Sequence, residues 1–253
     1  MVKKTTQAKV AFITGASAGI GKAAGIALLN AGWHVVFAAR RREVLEQVVS
    51  QCDQARALAV VMDVGDRESV KHAFARTQET FGRLDLLFNN AGRGAPAMPF
   101  EDLPYETWLE VINTNLNGMF LCAQEAFRRF KNQTPQGGRI INNGSISAQT
   151  PRPMSVAYTT TKHGVTGLTK SIALDGRAYN ICGCQIDIGN AATEMTQRMS
   201  SGALQPDGST LPEARMDVSH VAQTILHIAN LPLDTNMLST TIMANEMPFV
   251  GRG

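Results

Sequence analysis

The chain has 253 residues, 44% of them apolar and 18% charged. That length allows one α/β domain or two small ones, with a core large enough to need no staple, and the composition excludes a mainly disordered chain. Lys+Arg 24 against Asp+Glu 21 leaves a formal net charge of +3, too weak a field to indicate a nucleic-acid partner.

The start, Met1-Val2-Lys3-Lys4, imitates the basic end of a signal peptide, but the apolar run Val10 to Ile13 stops short of the roughly 7–15 residues required. No run approaches the roughly 20 apolar residues of a membrane span, so no membrane partner is expected and the location is expected to be cytoplasmic. Residues 1–8 are expected to be flexible. The first strand is expected at Lys9–Thr14, followed by Gly15-Ala16-Ser17-Ala18-Gly19-Ile20-Gly21 and a helix over Ile20–Ala31. A glycine-rich strand–turn–helix lets the backbone approach a pyrophosphate, which the helix N-terminus meets with free N–H groups and a positive dipole end.

A second strand, His34–Ala38, runs into Ala39-Arg40-Arg41-Arg42. A free ribose 2′-OH calls for an acid at such a strand end, whereas guanidinium groups suit a 2′-phosphate. NADP(H) is therefore favoured over NAD(H), with Arg40 the first choice for the phosphate and Arg41 the second. Further strands are expected at Ala57–Met62, Leu84–Asn89, Arg139–Asn143, Asn180–Ile188 and Ser239–Ala244. Helices are expected at Arg42–Gln51, Arg67–Phe81, Tyr105–Lys131, Val156–Ala178 and Val218–Ala229, with Asp66 and Asp217 as N-caps.

Seven apolar strands separated by six helices predict a single-domain α/β fold over residues 1–253. Its parallel sheet would be doubly wound and Rossmann-type, with helices on both faces. Gly92–Pro104 and Gly189–Met216 read as irregular stretches at the carboxyl edge, where such folds bind ligands, and 189–216 is assigned as a substrate loop. The four cysteines, Cys52, Cys122, Cys182 and Cys184, form no Cys-x-x-Cys pair and are expected to be reduced and mostly buried. No metal site is expected.

With Thr14 to Gly21, Asp63-Val64, Asn89-Asn90-Ala91-Gly92, Asn115, Ser145 and Tyr158-Thr159-Thr160-Thr161-Lys162, nearly the whole chain resembles the short-chain dehydrogenase/reductase family in its single-domain form. The resemblance implies hydride transfer between NADP(H) and a carbonyl or secondary alcohol. Tyr158 would be the general acid/base. Lys162, four residues on and on the same helix face, would lower its pKa and bind the nicotinamide ribose. Ser145 would polarise the substrate oxygen, and Asn115 would support a proton relay. Implied cofactor contacts are Gly15, Ser17, Ala18, Gly19, Ile20 and Gly21 in the turn, Asp63 and Val64, and Asn90, Ala91 and Gly92. Ile188, Gly189 and Thr193 would contact the nicotinamide.

The chain departs from the family in having Ile188 before Gly189 in place of proline, Ala18 where some NADP-dependent members have a basic residue, and no Asp-Gly-Gly after the last strand. The family also implies a homodimer or homotetramer. The substrate is read only as a small carbonyl or alcohol, with Arg93, Met98, Gln149, Met154, Met195 and Met199 as candidate pocket residues and Arg93 and Arg152 as a solvated rim. A catalytically silent NADP(H)-binding sensor or scaffold is the alternative. Epimerase-type relatives carry a substrate domain for which 253 residues leave no room.

Overall fold

The computed structural model describes residues 8–250. Strands β1 (Val10–Thr14), β2 (His34–Ala39), β3 (Ala57–Val61), β4 (Leu86–Asn89), β5 (Gly138–Asn143) and β6 (Ile181–Ile188) alternate with helices α1 (Gly19–Asn30), α2 (Arg42–Ser50), α3 (Arg67–Phe81), α4 (Tyr105–Ile112), α5 (Gly118–Asn132) and α6 (Val156–Asp175). After β6 come a short antiparallel pair, β7 (Ala203–Leu204) and β8 (Thr210–Leu211), then α7 (Val218–Asn230) and β9 (Ser239–Ile242). The main sheet is all parallel, in the order β3-β2-β1-β4-β5-β6-β9.

Alternation along the strands explains the three layers. In β1, Ala11 and Ile13 join Leu28 of α1, Leu45 of α2 and Ile225 of α7 on one face. Val10 and Phe12 join Phe74 of α3, Phe130 of α5 and Ile172 of α6 on the other. With both faces covered, the strands carry the near-continuous apolar runs expected of a parallel sheet. Chain order reverses between β1 and β4, and the crevice beyond their carboxyl ends is where ligands bind in such sheets.

Most elements lie where the sequence places them, and the Asp66 and Asp217 carboxylates cap α3 and α7 as expected. The expected helix Tyr105–Lys131 is instead divided by a π-helical turn at Asn113–Asn117, which separates α4 from α5. An inserted turn of this kind leaves the apolar spacing on either side nearly unchanged, so periodicity does not show it. The fourth strand starts at Leu86, two residues late; the Asp85 main chain still bonds Val10 O and Arg139 N–H, while its carboxylate takes the N–H of Val10 and pairs with Arg83. Asn180, in the left-handed region at φ 54°, turns the chain into β6. The stretch 189–216 is less irregular than expected, since it holds a 3-10 helix, Glu194–Ser200, and the β7–β8 pair. The expected flexibility of residues 1–8 falls, except for Ala8, outside the described residues. Among the described residues no helix is long and apolar enough to cross a membrane.

Candidate active site

One cleft of about 400 Å3 opens at the carboxyl edge of the sheet. Its floor is the turn after β1. Gly15 has φ +65°, and a Cβ there would lie 2.9 Å from Ala91 Cα, so only glycine lets the ends of β1 and β4 close on each other. Ala18 begins α1 with no side-chain cap, and Lys22 N–H makes the bond to its carbonyl. The N–H groups preceding Lys22 are thus the uncapped donors that suit a pyrophosphate. Ser17, Ala18, Gly19 and Ile20 line the cleft; Gly21 lies behind it.

At the far end the cleft is bordered by Arg40 and Arg41 from the end of β2 and by Asp63 and Val64 after β3. Arg41 reaches back to Ser17 Oγ at 3.5 Å, bridging the glycine turn and the arginine cluster. Asp63 accepts from Gly65 N–H, leaving the helix-capping role to Asp66. Asn90, Ala91 and Gly92 form the middle wall. The Asn90 side chain donates to Thr14 O at 3.0 Å and accepts from Asn143 Nδ2 at 2.9 Å, so it ties β1, β4 and β5 together. Ile188, Gly189 and Thr193 close the near side.

Tyr158 and Lys162 stand one helical turn apart on α6, and both line the cleft. Lys162 is buried, its Nζ donates to the Asn143 carbonyl at 2.7 Å, and it lies 5.4 Å from the centroid of the Tyr158 ring. Ser145 follows β5 directly behind Gly144, which lines the cleft. Its Oγ accepts from Ser147 N–H at 3.1 Å. Asn115 sits in the π turn, fully buried. Its side chain accepts from Arg93 N–H at 2.8 Å and donates to Arg93 O at 2.9 Å and to Thr161 Oγ1 at 3.4 Å, so the amide ties the loop after β4 to α6.

The candidate substrate residues scatter. Arg93 and Met195 line the main cleft, and Arg93 pairs with Glu110 at 2.6 Å. Met98 and Met154 line a separate recess near the start of α6. Met199 hydrogen-bonds Glu213 through its main chain. Arg152 is no solvated rim: it forms a bidentate pair with the fully buried carboxylate of Glu213, which Asn190 and Gln205 also hold. Burial works against the charge on Glu213, but those donors outweigh it and hold its pKa at about 2. Gln149 donates to Asp187, a buried acid that the sequence reading passed over. Its signal was present, as the one acid in the otherwise uncharged strand Ile181–Ile188.

The short chain dehydrogenase family matches residues 9–203. The chain belongs to that family. A 3beta-hydroxysteroid dehydrogenase of Mediterraneibacter gnavus is 35% identical over 195 residues, covering 76% of this chain and 70% of that protein. A 3-oxoacyl-[acyl-carrier-protein] reductase of Synechocystis sp. is 33% identical, covering 89% and 90%. Among solved structures, a short chain dehydrogenase from Bacillus anthracis superposes with a TM-score of 0.81 at 29% identity, covering 94% of this chain and 96% of that one. This short-chain dehydrogenase is thus an oxidoreductase of the class that interconverts hydroxyl and carbonyl groups.

Proposed function

We propose that this short-chain dehydrogenase moves a hydride between NADP(H) and a small ketone, aldehyde or secondary alcohol. The observation that carries the reading is the convergence of Tyr158, Lys162 and Gly144, the neighbour of Ser145, on the cleft that also holds the glycine turn and Arg40–Arg41. The residues fit the cofactor: uncapped helix N–H groups suit the pyrophosphate, and the guanidinium groups of Arg40 first, then Arg41, suit a 2′-phosphate. Asp63 and Val64 suit the adenine, Asn90 to Gly92 its ribose, and Ile188, Gly189 and Thr193 the nicotinamide end. When bound, the cofactor supplies or accepts the hydride.

In the reducing direction the Ser145 hydroxyl donates to the carbonyl oxygen, which can only accept, while its own oxygen accepts from Ser147 N–H. Hydride joins the carbonyl carbon, and Tyr158 O–H gives its proton to the developing alkoxide. The Lys162 ammonium holds a positive charge 5.4 Å from the centroid of the phenol ring, where it can stabilise the negative charge that develops during proton transfer. Proton return runs by Lys162 and the main chain at Asn115. Loop 189–216 covers the substrate side.

The enzyme is proposed to be cytoplasmic and a homodimer or homotetramer. The large exposed side chains of Tyr105, Leu109 and Phe120 on α4 and α5 favour assembly. Screening NADPH and NADH oxidation against small ketones, quinones, steroids and sugars tests the reaction. NADPH binding without turnover across the panel would favour the silent sensor.

A further inference from the structure

Strand β6 is buried at every position, and Asp187, 2% exposed, is its one acid. No cation pairs with it among the described residues; all its donors are neutral N–H groups. Oδ1 accepts from Ser145 N–H at 3.0 Å and from Gln185 Nε2 at 2.7 Å, and Oδ2 accepts from Gln149 Nε2 at 3.1 Å. The two Asp187 oxygens therefore hold both ends of one short turn, from Ser145 through the 3-10 segment Ile146–Ala148 to Gln149. The strand end is built around this carboxylate: a Cβ on Gly144 would lie 2.1 Å from Asp187 Oδ1.

Burying an acid without a cation is costly, and an apolar side chain would serve packing better. What the carboxylate provides is geometry. It fixes the main chain of Ser145, while Ser147 N–H fixes the hydroxyl oxygen. We propose that Asp187 is a positioning residue for Ser145, clamping the turn that carries the substrate-polarising hydroxyl. The clamp rests on the reductase reading above for its purpose, though not for its existence. A group held at both levels meets the substrate oxygen without reorganising, which is where preorganised hydrogen bonds gain their effect.

Two measurements on the full chain test this. The first is amide hydrogen exchange, which needs no turnover. In Asp187→Ala, exchange across 144–149 should quicken by about tenfold or more while peptides of β1 and α1 keep their protection. Unchanged exchange there overturns the clamp. The second is a double-mutant cycle on kcat with NADPH and a carbonyl substrate. Asp187→Ala should lower kcat about tenfold or more with little change in KM for NADPH, yet by less than about twofold once Ser145→Ala is present. Multiplying losses overturn the positioning role.

Asp187→Asn keeps an acceptor for Ser145 N–H, so it should recover most of kcat and the slow exchange at Ser145. It also answers the question should Asp187→Ala not fold, because faster exchange confined to Gln149 supports the two-ended clamp and uniform protection refutes it. A wild-type protein without turnover would sink the reductase reading and leave the exchange experiment to decide the clamp.

Discussion

Lys162 Nζ lies 5.4 Å from the centroid of the Tyr158 ring and is tied by its bond to the Asn143 carbonyl. The ammonium therefore serves two neighbours from one buried position, and it can neither swing into solvent nor leave the phenol without breaking the tie to β5. Tyr158→Phe keeps the ring and removes the hydroxyl. Turnover should fall roughly 10²–10⁴-fold, the usual worth of a general acid, while cofactor affinity stays within a few-fold. Steady-state rates beside a fluorescence titration of NADPH separate the two, and near-normal turnover would remove Tyr158 from proton transfer.

Arg40 and Arg41 divide the cofactor question between them. Arg41 is already engaged with Ser17, whereas no partner holds Arg40 among the described residues. Losing a charge-assisted bond costs about 1.5–3 kcal/mol, or about 10–100-fold in affinity. Arg40→Ala should raise KM for NADPH by that factor and barely alter KM for NADH, with a smaller effect from Arg41→Ala. Equal changes for both cofactors would exclude Arg40 from 2′-phosphate recognition.

The Arg152–Glu213 pair links the loop after β5 to the segment before α7. The folded pKa of Glu213 lies at about 2, below its ordinary 4.5. Its contribution is therefore complete above about pH 4.5 and is lost as the pH falls from there through 2. The linkage relation puts that contribution on the order of 3 kcal/mol at neutral pH. Glu213→Gln should lower Tm at pH 7 by about 6–12 °C, given about 2–4 °C per kcal/mol at this chain length, and should flatten the acid limb of stability. Scanning calorimetry from pH 7 to pH 2 would show it, and identical acid limbs would refute the assignment.

Thiol chemistry offers an independent check on the core. Burial pushes the Cys122 thiol far up and that of Cys184 to about 11, and it raises Cys182 and Cys52 as well. Thiolate is the reactive form, so a disulfide reagent at pH 7.5 should label the native protein slowly and at Cys52 first, the one cysteine not fully buried. Denaturant should release all four. Rapid labelling of Cys122 in the native protein would contradict the packing of α5.

Strand and helix order were legible in the residues because burial on both faces writes long apolar runs and caps write their own signatures at Asp66 and Asp217. The cleft was legible for a related reason. Gly15, Arg40, Asn90, Tyr158 and Lys162 each belong to a short motif whose chemistry is local, and the doubly wound topology carries all five to one edge. Contacts between distant segments were not legible. The π turn leaves the helical apolar pattern almost intact, and it shows only where Asn115 meets Arg93. Arg152 reads as a rim cation until the chain from β6 returns Glu213 to it, 61 residues later. Asp187 reads as one odd residue in an apolar strand until Ser145 and Gln149 come within reach of its two oxygens. Sequence by itself determined the periodic elements and the local motifs, since both are encoded within a few residues. Only the tertiary structure decided which buried charges are paired and what they hold, because those partners meet through the parallel sheet and not along the chain.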